Sequence, residues 1–219
     1  MLIDHWPLRG IHITTPRLEL RLPSEEELAE LADLAARGVH PPGERPFLTP
    51  WADRPPAERA RYVLQQHWQR LGAWAPKEWA LEMAVFHDGR PVGVQDMRAQ
   101  DFAVRREVIT GSWLGLEYQG RGIGTEMRSA VLHLAFVGLG CVEATTMSFT
   151  DNVAPLRISR KLGYRPDGIT RDVLDGQVVV SQRLRLSRRE WELTDCLRVT
   201  VSGLQGCSEL FGSSDRHHH

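Results

Sequence analysis

Leu18, Leu20 and Leu22 alternate with Glu19 and Arg21, a period of two that predicts a strand with one buried face. The period then changes. Ser24 and Glu27 have the spacing of a capping box, and Leu28, Leu31, Leu34 and Ala35 supply the buried stripe of the helix behind it. A second helix is predicted over 56–71, with Val63, Leu64, Trp68 and Leu71 on one side. Strands over 79–86 and 91–97 flank Asp88-Gly89, a dipeptide suited to positive φ in a tight hairpin. A strand over 108–116 leads into Gln119-Gly120-Arg121-Gly122-Ile123-Gly124. Helical spacing of Ile123, Met127, Ala130, Val131, Leu134, Ala135 and Leu139 follows, so the glycines open a long amphipathic helix. Residues 141–149 predict a strand, and Asn152 can cap a short helix that tolerates Pro155 in its first turn and ends at Gly163. Strands over 169–174 and 177–186 around Asp175-Gly176 form a last hairpin, and 197–201 adds a further strand. This mixture of strands and helices is an α/β pattern.

Residues 38–56 break the periodicity with six prolines and two glycines. That composition excludes helix and central strand, whereas Phe47 and Trp51 are too apolar for a simple linker. Two readings stand: a packed loop that lines a binding site, or two aromatics that cap the core.

The chain has 219 residues, 42% of them hydrophobic, enough for a core that needs neither disulfides nor a structural metal. One domain is expected over 12–192, preceded by a segment over 1–11 and followed by an extension over 193–215. Residues 216–219, ending in three histidines, read as the remnant of a tag. With 27 basic and 28 acidic side chains the formal net charge is −1, which argues against a nucleic-acid partner. Cys141, Cys196 and Cys207 include no C-x-x-C pair, so neither a disulfide framework nor a zinc site is signalled. The N-terminus lacks a basic stretch followed by an apolar one, and no apolar run approaches the ~18 residues of a membrane span. The expectation is a cytoplasmic protein with no membrane partner and no metal.

A glycine loop between a strand and a helix leaves backbone N–H groups unpaired at the positive end of the helix dipole, an anion site that suits a diphosphate. Thr125 can add a hydroxyl donor. The spacing matches neither Walker A nor the dinucleotide fingerprint. The order of elements around it resembles that of the GNAT acyltransferases, and Gln119 to Gly124 is similar to their Q/R-x-x-G-x-G/A pyrophosphate loop. Thr15-Pro16-Arg17-Leu18-Glu19-Leu20-Arg21 resembles the T-x-R-L-x-L-R opening of the branch that includes the ribosomal-protein N-terminal acetyltransferases. Asn152 and Lys161-Leu162-Gly163-Tyr164 resemble its N-x-x-S/A…K-L-G-F/Y segment, so the likeness covers nearly the whole chain. Trp113-Leu114-Gly115, the Pro46 to Trp51 loop and the tail past Trp191 look most like an actinobacterial group that includes users of succinyl-CoA.

The resemblance implies a GNAT fold: a mixed, mostly antiparallel sheet with helices on both faces and a V-shaped splay between two neighbouring parallel strands, here 108–116 and 141–149. It implies direct attack of an amine on the thioester of succinyl-CoA or acetyl-CoA in a ternary complex. Trp113, Leu114, Gly115 and Leu116 would hold the pantetheine; Gln119, Gly120, Arg121, Gly122, Ile123, Gly124 and Thr125 would hold the pyrophosphate. Asn152 would contact the pantetheine or cap its own helix. For the departing thiolate, Ser159 falls at the position where many members carry a tyrosine, while Pro155 stands where branch members carry a serine and so removes one donor; Ser159 can equally return its hydroxyl to the preceding turn. Tyr164 is a second donor or a core anchor. Asp101, Asp96, Glu82 and His40 are the candidate bases, a set the sequence does not rank. His40, Arg45, Phe47, Trp51 and Gln95 are expected at the acceptor and acyl end, with His40, Arg45 and Gln95 placed to meet a succinyl carboxylate. Cys141 has no His and acid partners to make it a nucleophile. The acceptor amine is a peptide N-terminus, a lysine or a small molecule. The alternating apolar segment over 194–211 predicts a homo-oligomer, unless it folds back on its own domain. A different class stays open, a sensor that binds acyl-CoA without transfer.

Overall fold

The computed structural model describes residues 1–194 and 197–212; Cys196 and the tag remnant lie outside them. The strands are β1 His12–Thr14, β2 Leu18–Arg21, β3 Glu78–His87, β4 Arg90–Gln100, β5 Glu107–Leu114, β6 Glu143–Phe149, β7 Arg165–Leu174, β8 Gln177–Ser187 and β9 Thr200–Ser202. The helices are α1 Leu2–His5, α2 Glu25–Arg37, α3 Pro56–Gly72, α4 Phe102–Arg105, α5 Ile123–His133, α6 Val153–Lys161 and α7 Arg188–Glu192. One sheet holds the strands in the order β7-β8-β6-β5-β4-β3-β2-β1-β9. Every pair is antiparallel except β5 with β6, so the sheet is the mixed one expected.

Local signals set these elements. Ser24 Oγ accepts from the Glu27 N–H at 3.2 Å while the Glu27 carboxylate accepts from the Ser24 N–H at 2.8 Å, and α2 starts there. Asp88 (φ 51°) and Gly89 (φ 74°) turn β3 into β4 with both residues at positive φ. A bulge between Val85 and Phe86 then shifts the register by one residue and sets Glu82 opposite Asp96.

Two apolar layers cover the sheet. Ile123, Met127, Ala130, Val131 and Leu134 pack beneath it with Leu81, Met83 and Met97, while α2 and α3 cover the other face through Leu28, Leu31 and Val63, clustered with Ala84 and Val94 of the sheet. One helix face differs from its expectation: Trp68 is 49% exposed, and Val63 and His67 are the buried residues of α3. On this inward face Val63 packs with Ala84 and Val94, and His67 meets Glu82 of β3 (Nδ1 to Oε1 3.6 Å).

The ends belong to the same core. Leu8, Ile11, Cys207 and Phe211 are all buried in the layer beneath the sheet. The C-terminal segment folds back on its own chain. β9 pairs with β1, Phe211 packs on Trp79 (4.8 Å between ring centroids) and Trp74 (5.5 Å), and Trp74 Nε1 donates to the Leu210 carbonyl at 2.8 Å. The observation that pointed to a homo-oligomer is thereby used up within one chain. Among the described residues no helix is long and apolar enough to cross a membrane.

Candidate active site

β5 and β6 pair only through Glu107/Glu143, Val108/Ala144 and Ile109/Thr145, although β5 runs on to Leu114 and β6 to Phe149. Beyond Ile109 the strands diverge. Thr146 Oγ1 donates to the Thr110 carbonyl at 3.0 Å and closes the apex of the opening. The Gly115 N–H turns to the Val92 carbonyl on the β4 side and the Thr110 carbonyl turns to β6, so strand alternation leaves the backbone of Ser112 and Leu114 facing the splay. The Leu114 carbonyl is taken by Gln119 Nε2 (3.1 Å), which leaves the N–H groups of Ser112 and Leu114 as donors. Two expected pantetheine donors are withdrawn: the N–H of Gly115 is bound to Val92 and that of Leu116 to Gly38.

The glycine loop adjoins this opening. Gly122 caps α5 at φ 80°, a left-handed conformation that favours glycine, and the N–H groups of Gly120 to Thr125 have no backbone partner among the described residues. Gln119 Nε2 also donates to the Val39 carbonyl at 2.7 Å, so this side chain ties the loop to β5 and to the segment after α2 instead of turning to a ligand. Thr15 and Arg17 explain the opening motif. Thr15 Oγ1 (2.6 Å) and Arg17 Nε (2.7 Å) hold Glu126 of α5, and Arg17 NH1 donates to the Arg121 carbonyl (3.1 Å), which clamps the loop from outside. Gly124 packs on α6, where an added Cβ would stand 3.1 Å from Ile158 Cδ1. Thr125 borders an outer groove of about 680 Å³ with Arg17 and Lys161. The Asn152 side chain makes no capping bond and stays available at the start of α6.

On the α3 side of the splay lies a cavity of about 370 Å³. Phe47, Trp51, Tyr62 and Trp113 form its aromatic wall, with Trp51 stacked on Tyr62 at 5.2 Å and against Trp113 at 5.8 Å. Trp113 therefore faces the cavity with its side chain. Glu82 and Asp96, opposed across β3 and β4, form the floor, and Arg70 of α3 bonds Glu82 and approaches Asp96 Oδ2 at 3.4 Å. Two carboxylates side by side repel unless cations are interleaved, which Arg70 and Arg98 (Nε to Asp96 Oδ1 3.3 Å) accomplish. Gly111, opposite Asp96 on β5, leaves the carboxylate its room: a Cβ there would lie 2.9 Å from Oδ2.

Five other expected residues sit elsewhere. Asp101 follows β4 at the end where β5 and β6 are still paired, and faces Lys77 at 4.0 Å, so it does not reach the opening. Ser159 is buried; it donates to the Pro155 carbonyl at 2.9 Å and accepts from Arg128 at 3.1 Å, the back-bonded arrangement. His40 contacts the Pro41 carbonyl and faces Asp53, while Arg45 pairs with Asp175 at the β7–β8 turn. Gln95 is fully buried and donates to the Gly111 carbonyl (2.7 Å) on the face opposite Asp96, because the bulge reverses the facing that an unbulged hairpin would impose. Tyr62, Gln66 and Arg70 line the cavity from α3 and had a usable signal, an i, i+4, i+8 polar row.

Cys141 is buried beside the Arg106 and Glu143 carbonyls, and burial pushes its thiol up to about 11, so it stays protonated near neutral pH. Tyr164 is buried with its hydroxyl 3.4 Å from Thr110 Oγ1 at the apex, and burial raises its pKa.

Residues 17–165 match the family described as the acetyltransferase (GNAT) domain. The chain belongs to the GNAT acetyltransferase family. YdaF of Bacillus subtilis (strain 168), whose name provisionally assigns it as a ribosomal N-acetyltransferase, is 25% identical over 162 residues, 62% of this chain and 88% of the relative. Among solved structures, RimL, a ribosomal L7/L12 α-N-protein acetyltransferase in complex with coenzyme A, superposes with a TM-score of 0.64 at 19% identity over 79% of this chain and 95% of that one. A GCN5-related N-acetyltransferase from Brucella melitensis gives a TM-score of 0.65 at 20% identity over 83% and 80%. At these identities the superpositions establish the GNAT fold.

Proposed function

We propose that this GNAT domain binds acyl-CoA with its pyrophosphate on the N–H groups of Gly120 to Thr125 and its pantetheine in the β5–β6 splay, and passes the acyl group to an amine in the α3-side cavity. The observation that carries the reading is the splay itself: Ser112 and Leu114 offer backbone N–H groups between an anion loop and a cavity floored by Asp96. Those N–H groups suit the thioester oxygen as it gains charge. The amine nitrogen attacks the carbonyl carbon and Asp96 accepts its proton. Collapse of the adduct breaks the C–S bond, and the thiolate takes up a proton. Tyr164, kept neutral by burial, is the hydroxyl proposed to supply it.

For the donor, Arg128 favours succinyl-CoA over acetyl-CoA. Its side chain is only 5% exposed, NH1 and NH2 donate to Ser159 Oγ (3.1 Å) and Ser112 Oγ (3.3 Å), and Nε has no partner among the described residues. No salt bridge joins it to a carboxylate of the described residues, and desolvation pulls its pKa down against a smaller opposing pull from Asp96. A buried cation without a counter-charge is costly, and the terminal carboxylate of a dicarboxylic acyl group beside Ser112 would supply one. His40 and Arg45, engaged elsewhere, give up this role. Thiol release in the presence of an amine panel tests transfer, and competition between the two donors at equal concentration tests the acyl group. Acetyl preference in the wild type would sink the succinyl assignment, a succinyl preference that survives in Arg128→Met would remove Arg128 from it, and binding without turnover on any amine would leave the sensor reading.

A further inference from the structure

We propose that the acceptor is a zwitterion of the amino-acid type, an amine with a carboxylate two or three bonds away, whose carboxylate is held by Arg70 and Arg98; this rests on the acyl-transfer reading above. The cavity at the splay adjoins a second one of about 480 Å³ between α3 and the paired ends of β3, β4 and β5, and the two share Arg70, Arg98, Gln66 and Ile109. The guanidinium groups thus stand at a neck. Arg98 uses only Nε, toward Asp96, and its two terminal nitrogens have no partner among the described residues. Arg70 spends NH1 on Glu82 and Asp96, and its NH2 is likewise unpaired. Arg105, farther along, is satisfied by Glu107 at 2.9 Å and does not compete.

Charge balance points the same way. Arg70 and Arg98 against Glu82 and Asp96 sum to zero, so a zwitterion enters without leaving a net charge in a half-buried site. A simple cationic amine would bring a positive charge against two guanidinium groups. Both guanidinium groups lie within 3.4 Å of the Asp96 carboxylate, so an amine that meets Asp96 places a carboxylate on the adjoining carbon at the unpaired nitrogens. The remainder of the acceptor then faces the aromatic wall or passes the neck into the second cavity.

The test compares phenylalanine, phenylalaninamide and phenethylamine as acceptors at saturating acyl-CoA, with the wild type and with Arg98→Gln and Arg70→Gln variants checked for folding by melting temperature. The expected result is a kcat/KM for the amino acid roughly 10- to 100-fold above that for its amide and for the amine, carried by KM, and a ratio that falls toward one in either variant. Equal use of the three acceptors, an unchanged ratio in both variants, or activity confined to peptide amines would overturn the proposal while leaving acyl transfer intact. Absence of thiol release from every amine would instead overturn the transferase reading.

Discussion

Asp96 is where several local facts converge. It opposes Glu82, is contacted by two arginines, borders the splay and has Gly111 beneath it. If it accepts the amine proton, Asp96→Asn should lower kcat by about 10²–10⁴ while CoA affinity holds, as steady-state rates and calorimetry would show. Equal losses in CoA affinity would mark Asp96 as structural. Gly111→Ala should reproduce part of the kinetic loss, because the added methyl displaces the carboxylate. Sequence periodicity could list Asp96 among four acids and bases but could not rank it, since the bulge at Val85 and Phe86 decides which of Gln95 and Asp96 faces the cleft. Ser159 has the expected spacing from Asn152, but its hydroxyl returns to the Pro155 carbonyl, the second of the two readings the sequence allowed.

At the scale of elements, the capping box of α2 is joined to β2 by Arg21, which bonds the Glu27 carboxylate through both terminal nitrogens at 2.7 Å. That bond holds Glu27 below its ordinary carboxylate range. The unfolded chain therefore binds the proton first on acidification, and this contribution to stability, full above about pH 4.5, is lost as pH falls through the folded-state value. Melting temperature against pH should show a shallower acid limb for Glu27→Gln than for the wild type, and identical limbs would remove Glu27 from the account. The C-terminal segment makes a stronger demand. Phe211→Ala empties a site among Trp74, Trp79 and Leu210 and should cost about 3–5 kcal/mol by denaturant unfolding, whereas a surface-docked tail would cost under 1. Both hairpins, the capping box and the glycine loop were legible because each depends on residues close in sequence. The packing of residues 197–212 on Trp79 was not, since alternation predicts a strand but not its partner.

Across the whole molecule, the register of one parallel pair organises the function. Three residue pairs join β5 to β6, and the divergence that follows sets two N–H groups without a backbone partner among the described residues between the glycine loop and a charged cavity. The family likeness foretold the splay, yet which amides it frees depended on the contacts of Gly115 and Leu116 with Val92 and Gly38, which no spacing encodes. A crystal structure with CoA tests this arrangement most directly. The account predicts the pyrophosphate on Gly120 to Thr125, pantetheine between β5 and β6 within hydrogen-bond reach of the Ser112 or Leu114 N–H, and the sulfur facing Asp96 across Gly111. CoA lying wholly in the outer groove along α5, with the splay empty and the sulfur remote from Asp96, would contradict it.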